Sequence, residues 1–298
     1  MKLLFVINPI SGDIDKVPFT QRASLKCEKY GIECFFFKTE GENDEERLKE
    51  KVSDFNPDKV AVIGGDGTVL LAAKILQHTN IPFGIIPLGS ANGLAKELFV
   101  EINPDQALQD IIMSQITKSL DMIVLNDKYD MLHIGDVGVN ANLVGAYDKD
   151  PNQGMATYAK YFIEKLREIE PFSIHIETKG KTYEEKGLMV GICNSRKYGT
   201  GIPLNLNGDM TDGKFEIVVI KDINLGSLIK AGLSKFDENF YDNQDRKVIS
   251  TSEAKITFDV PRLLQLDGET VGEFDVLNIA IKKSAVNIIT LKTDFINS

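Results

Sequence analysis

Cysteine is scarce: Cys27, Cys34 and Cys193 are the only three in 298 residues, and none stands in C-x-x-C spacing. An odd count without paired spacing argues against a disulfide framework and a structural zinc site, and it points to a reducing, cytoplasmic setting. Positive charge is also short. Thirty-four Lys and Arg face 44 Asp and Glu, a net charge of −10, with a pI near 5.0. No global positive field is therefore available to gather nucleic acid or an anionic bilayer. Long apolar runs are missing as well: none approaches the roughly 20 residues of a membrane span. The opening stretch Met1–Asn8 is too short, and too soon broken by Asn8-Pro9, to read as a signal peptide. What remains is the composition of a soluble globular protein, 43% hydrophobic and 26% charged, long enough for two domains that each bury a core.

Leu3–Ile7 is a continuous apolar run closed by a turn signal, the pattern of a strand buried on both faces. A helix is expected from Phe19 to Tyr30, stopped by Gly31, and a second strand over Ile32–Phe37. Asn43 is expected to cap a helix running to Phe55, and Lys59–Ile63, a helix over Thr68–His78 and Phe83–Pro87 follow. Strands thus alternate with helices to about residue 117, which predicts a doubly wound βαβ domain over residues 1–117, with ligands at the carboxyl ends of its strands. From residue 118 to 298 the character changes to strand-like runs: Leu120–Leu125, Met131–Ile134, Phe172–Glu177, Leu188–Cys193, Phe215–Ile220, Ala254–Phe258, Leu263–Leu266 and Val276–Ile281. Helices are expected there only over 155–169 and 225–233, so the second domain reads as antiparallel and β-rich, and its last strand is expected to return to the first.

Three polar turns end neighbouring strands of the first domain: Asn8-Pro9-Ile10-Ser11-Gly12, Gly64-Gly65-Asp66-Gly67-Thr68 and Pro87-Leu88-Gly89-Ser90-Ala91-Asn92. Glycines at strand ends commonly serve the backbone alone. Three such turns on one sheet edge together supply the backbone donors and hydroxyls of a phosphate cradle. Asp66 is the odd member, because a carboxylate repels phosphate unless it serves a Mg²⁺ ion or manages a proton. A fourth turn, Leu266-Asp267-Gly268-Glu269, adds a second pair of carboxylates.

With Asn194 and Asp212-Gly213, these motifs run in the order of the soluble lipid kinase family built around the diacylglycerol kinase catalytic domain, which the chain resembles over nearly its whole length. Gly-Gly-Asp-Gly by itself is shared with NAD kinases and phosphofructokinases. The resemblance implies an ATP-binding α/β domain followed by a β-sandwich-like domain, with ATP contacting Asn8, Pro9, Ser11, Gly12, Thr39, Gly64, Gly65, Asp66, Gly67, Thr68, Ser90 and Asn92. It implies Glu269 as acceptor of the proton from a lipid hydroxyl. Asp66 and Asp267 would belong to the active-site Mg²⁺ and water network, which Asp121 would join. A structural cation, Mg²⁺ or Ca²⁺, would sit on Asp209, Asp212 and the Lys214 carbonyl, a loop whose carboxylates and carbonyl suit a hard ion. An Asp-Gly turn between strands is the plain alternative for that loop.

Where relatives acting on diacylglycerol commonly read Asn-Asp-Phe-Ala-Arg, this chain reads Asn92-Gly93-Leu94-Ala95-Lys96, and the usual triple glycine near Asn194 is interrupted as Gly199-Thr200-Gly201. The implied activity is phosphorylation of diacylglycerol or a related lipid at a membrane surface, by peripheral contact, with a homodimer left open. A NAD kinase-like enzyme and a ligand-binding relative without turnover are the alternatives.

Overall fold

The computed structural model describes residues 1–138, 168–197, 204–205, 208–222 and 246–291. The turn at 199–201, the helix expected over 225–233 and nearly all of that over 155–169 lie outside these residues. The chain divides into two units, residues 1–120 with 283–298, and residues 121–282.

The first unit is a parallel sheet. Lys2–Ile7 (β1) is apolar on both faces and buried from Leu3 onward, which leaves it only a central place. It pairs in parallel with Glu33–Lys38 (β2) on one side and Lys59–Gly64 (β3) on the other, and β3 pairs with Phe83–Pro87 (β4). The far end of the last strand, Glu269–Ile289 (β14), pairs in parallel with β4 through Ile288 and Phe83. Between them run the helices Val17–Lys29 (α1), Asp44–Phe55 (α2), Asp66–Leu76 (α3), Gly93–Glu97 (α4) and Pro104–Met113 (α5). Because β1 lies between β2 and β3, the direction of winding reverses at β1, and the turns after β1 and β3 flank that switch point.

Local details differ from the sequence pattern for identifiable reasons. Asn43 lies in the left-handed region (φ 54°) and makes no capping bond. The carboxylate of Asp44 instead accepts the N–H groups of Glu40 (3.0 Å) and Gly41 (2.8 Å), tying down the turn before α2. Helix α3 begins at Asp66, two residues before the expected Thr68, and stops at Leu76, with His78 at φ 57°. The α5 end is closed by a residue without an evident sequence signal. Lys59, buried on β3, donates to the carbonyls of Ile111 (2.9 Å), Ile112 (3.3 Å) and Ser114 (2.7 Å). Burial pushes its ammonium down, yet the carbonyls at a helix C-terminus favour the charge. Lys59→Met is expected to destabilise the protein by roughly 1–3 kcal/mol, the cost of leaving such acceptors unpaired. Chemical denaturation reads this as a lower midpoint with an unchanged slope.

The second unit is antiparallel. Its strands are the remainder of Thr117–Leu125 (β5), Tyr129–Met131 (β6), Ile134–Val137 (β7), Phe172–Thr178 (β8), Lys181–Gly187 (β9), Met189–Cys193 (β10), Phe215–Ile220 (β11), Arg246–Thr251 (β12) and Glu253–Leu266 (β13), with most of β14. The order β12-β11-β10-β7-β13-β14 forms the main sheet, and β8 pairs with β13 and β9. One face packs Ile192, Phe215, Ile217, Ile256, Leu264 and Leu277 into a common core. The expected strand Met131–Ile134 is split, because residues 132 and 133 leave the ladder. The expected Ala254–Phe258 and Leu263–Leu266 are one strand with an irregularity between Thr257 and Arg262, where Pro261 has no N–H to give the ladder. Strands β9 and β12 carry no apolar run: among the described residues each has a single partner in the ladder, and their charged side chains suit an edge.

Candidate functional site

The three turns of the first unit meet through their glycines. Gly12 has φ +69°, and a Cβ there would come within 2.9 Å of the Gly89 carbonyl carbon, while a Cβ on Gly89 would collide with the backbone of Gly65. These glycines bring the turns after β1, β3 and β4 into backbone contact. Asn8 shapes the first turn by accepting the N–H of Ile10 (3.1 Å), and Ser11 donates its hydroxyl to the Asn8 carbonyl (3.3 Å). Lys16, 4% exposed, donates to the carbonyls of Ser11 and Ile14 and so pulls carbonyl oxygens of this turn to one ammonium. Nothing in the motif spacing singled Lys16 out. Its place before the proline-opened helix α1 is the only signal.

Asn92 spends its amide on its own turn: its oxygen accepts the Gly89 N–H (2.9 Å) and its nitrogen donates to the Gly89 carbonyl (2.7 Å). It is a shaping residue in this geometry. Thr68 is buried against Gly64, and Thr39 donates its N–H to the Ile7 carbonyl (2.8 Å). Pro9, Gly67 and Ser90 are exposed. At the start of α3 the first N–H groups of the helix have no partner within the helix, and the macrodipole makes this end positive. Gly67, in that first turn, offers no side chain to cover it.

Asp66 does not leave its charge open to this end. Its two carboxylate oxygens accept the N–H groups of Gly93 (2.8 Å) and Leu94 (2.9 Å), which start α4. The carboxylate therefore latches the turn after β4 to the turn after β3. A charged acceptor shared by two backbone donors is strongly favoured, and its negative charge is already answered before any anion arrives.

In the second unit, Asp267 and Gly268 have φ 49° and 90°, and Leu266 pairs with Glu269. This is a two-residue hairpin turn of the kind that Asp-Gly favours. The Asp267 carboxylate accepts three consecutive backbone N–H groups, from Leu132 (2.9 Å), His133 (2.9 Å) and Ile134 (3.1 Å), and its own N–H returns to the Ile134 carbonyl (3.0 Å). Here lies the reason for the break between β6 and β7: residues 132–134 bend to surround a carboxylate. The Glu269 side chain is exposed and has no hydrogen bond or ion pair among the described residues.

The same segment is held from its carbonyl side. The buried Asn194 donates to the carbonyls of Leu132 (2.7 Å) and Asp121 (2.8 Å), and its N–H reaches the His133 carbonyl (3.0 Å). Asp121, also buried, accepts the Gly213 N–H (2.6 Å) and donates its own to the Met210 carbonyl (2.7 Å). A continuous set of hydrogen bonds thus runs from the loop 209–214 to the turn that carries Glu269.

In that loop, one oxygen of Asp209 accepts the N–H (2.9 Å) and hydroxyl (2.7 Å) of Thr211, and one oxygen of Asp212 accepts the Lys214 N–H (2.8 Å). These bonds engage one oxygen of each carboxylate. Among the described residues no cluster of three His, Cys, Asp or Glu side chains gathers around a common point. The donor set fits a hard cation only if the Lys214 carbonyl and water complete it. Elsewhere, burial and the neighbouring Cys34 push the Cys27 thiol up to about 12, and burial raises Cys193 well above its ordinary value, so neither is an activated nucleophile.

Comparison with known proteins finds two family models in succession: "Diacylglycerol kinase catalytic domain" over residues 2–125 and "YegS C-terminal NAD kinase beta sandwich-like domain" over residues 136–290. An uncharacterized protein of Synechocystis sp. is 32% identical over 232 residues, 74% of this chain and 52% of the relative, so the chain spans about half that relative's length. A diacylglycerol kinase of Bacillus subtilis is 23% identical over 274 residues, covering 90% of this chain and 89% of its own. A crystal structure described as a diacylglycerol kinase from Bacillus anthracis superposes with a TM-score of 0.72 at 19% identity, over 97% of this chain and 96% of the other, a likeness of fold.

Proposed function

This chain belongs to the lipid kinase family built around the diacylglycerol kinase catalytic domain, and from that premise we propose that it transfers the γ-phosphoryl group of ATP, with Mg²⁺, to a hydroxyl of diacylglycerol or a related lipid. The observation that carries the reading is the contrast among the motif carboxylates. Asp66 and Asp267 are held by backbone N–H groups, and Glu269 is exposed without a partner among the described residues.

In this reading the glycine turns and the start of α3 hold the triphosphate of ATP by backbone donors. Glu269 accepts the proton as the lipid oxygen forms its bond to the γ-phosphorus and the bond to the β–γ bridging oxygen breaks, releasing ADP. A divalent cation on the phosphates supplies neutralisation of the charge on the transferred group when bound. No helix among the described residues is long and apolar enough to cross a membrane, and in this reading the lipid is met at a membrane surface by peripheral contact.

The test is incubation with labelled ATP, Mg²⁺ and a total lipid extract, followed by mass analysis of the phosphorylated products. A phosphorylated lipid is expected. Failure to phosphorylate any lipid across several metals and nucleotides would sink the assignment.

The loop 209–214 is proposed as a structural cation site on Asp209, Asp212 and the Lys214 carbonyl. A cation bound only to the folded state raises stability with its concentration. Asp212→Ala is expected to lower the melting temperature and to weaken its dependence on added Mg²⁺ or Ca²⁺. A mutant that melts like wild type at every metal concentration, while its ATP affinity collapses, would assign the loop to the nucleotide instead.

A further inference from the structure

The turn Leu266–Glu269 contains two carboxylates, and the geometry around them is unequal. Asp267 occupies a left-handed backbone conformation (φ 49°) that Asp-Gly hairpin turns favour, and contacts with a neighbouring segment hold its side chain there. Those contacts are the N–H groups of residues 132, 133 and 134 on the carboxylate, and the Ile134 carbonyl on the Asp267 N–H. Glu269 follows two residues later as the first residue of β14, directly across from Leu266. Its strand position is therefore set by the same turn.

We infer that Asp267 is a positioning residue: its carboxylate, seated on the backbone N–H groups of Leu132, His133 and Ile134, fixes the hairpin that aims Glu269, and it takes no proton from the substrate. The three converging N–H donors take three of the roughly four acceptor sites of the carboxylate and fix both of its oxygens in place. The carbonyl side of the same segment is held by Asn194, so the seat is built from both sides. The inference rests on the lipid kinase reading only for what Glu269 does; the seating itself is independent of it.

Asp267→Asn and Asp267→Ala separate this role from that of a base. Asn keeps one oxygen, able to accept from His133 and Ile134 as the Oδ1 atom does now, and loses the acceptor for Leu132. Ala loses all three. The expected order of kcat is wild type, then Asn, then Ala, with Asn recovering about tenfold or more of the loss in Ala, and with KM for ATP near wild type in both. A general base would be lost equally in both substitutions, so equal kcat values for Asn and Ala overturn the inference.

Amide hydrogen exchange is the second measurement and needs no substrate. Exchange at residues 132–134 should accelerate about tenfold or more in Asp267→Ala relative to wild type, and less in Asp267→Asn. Wild-type exchange in the Ala variant overturns the inference whatever the activity; should Ala fail to fold, the same comparison is read between wild type and Asn. If wild type phosphorylates no lipid while the exchange pattern is as expected, the lipid kinase reading fails and the seating stands.

Discussion

Glu269→Gln is expected to reduce lipid phosphorylation by roughly 10²- to 10⁴-fold, the usual contribution of a positioned general base, while ATP binding stays near wild type. The substitution preserves size while removing the charge and the capacity to accept a proton. Glu269 is exposed at the first position of β14 and has no structural partner among the described residues, so its loss should leave folding unchanged. Single-turnover kinetics with saturating ATP, alongside calorimetric titration of the nucleotide, separates the two effects. A loss of about twofold or less would remove Glu269 from the role of base.

Asp66→Ala is the second substitution with a large expected effect, and of a different kind. The Gly93 and Leu94 amides belong to buried residues, and removing the carboxylate leaves both donors without their partner. Each unpaired buried group costs roughly 1–3 kcal/mol, enough to release the turn after β4 from its neighbours. ATP affinity is expected to fall by more than tenfold, further than in the Glu269 variant, and the melting temperature to drop. Asp66→Asn, which keeps one acceptor, should fall between. If Asp66→Ala binds ATP like wild type and melts like wild type yet is inactive, the carboxylate takes part in the chemistry and the latch is secondary.

The alternation of apolar runs and helices was enough to read the fold class, because a strand buried on both faces must be apolar throughout, and β1, β3 and β4 are. The edge strands β9 and β12 escaped the same reading because they hold few apolar residues, Tyr183 in one and Val248 and Ile249 in the other, and so give no apolar run. Helix starts were legible only approximately: Asn43 has the composition of a cap, but its backbone is left-handed and its side chain makes no capping bond.

By itself the sequence determined the order of strands and helices in the first unit, the β-rich character of the second and the place of each polar turn after a strand, since these follow from local pattern and from residues that tolerate turns. Which partners each carboxylate meets was decided by tertiary structure alone. Asp66 meets amides 27 and 28 residues away, and Asp267 meets amides 133 to 135 residues away. Neither partner leaves a mark in the sequence, because a backbone N–H is common to every residue but proline, and only the fold selects which of them a carboxylate will find.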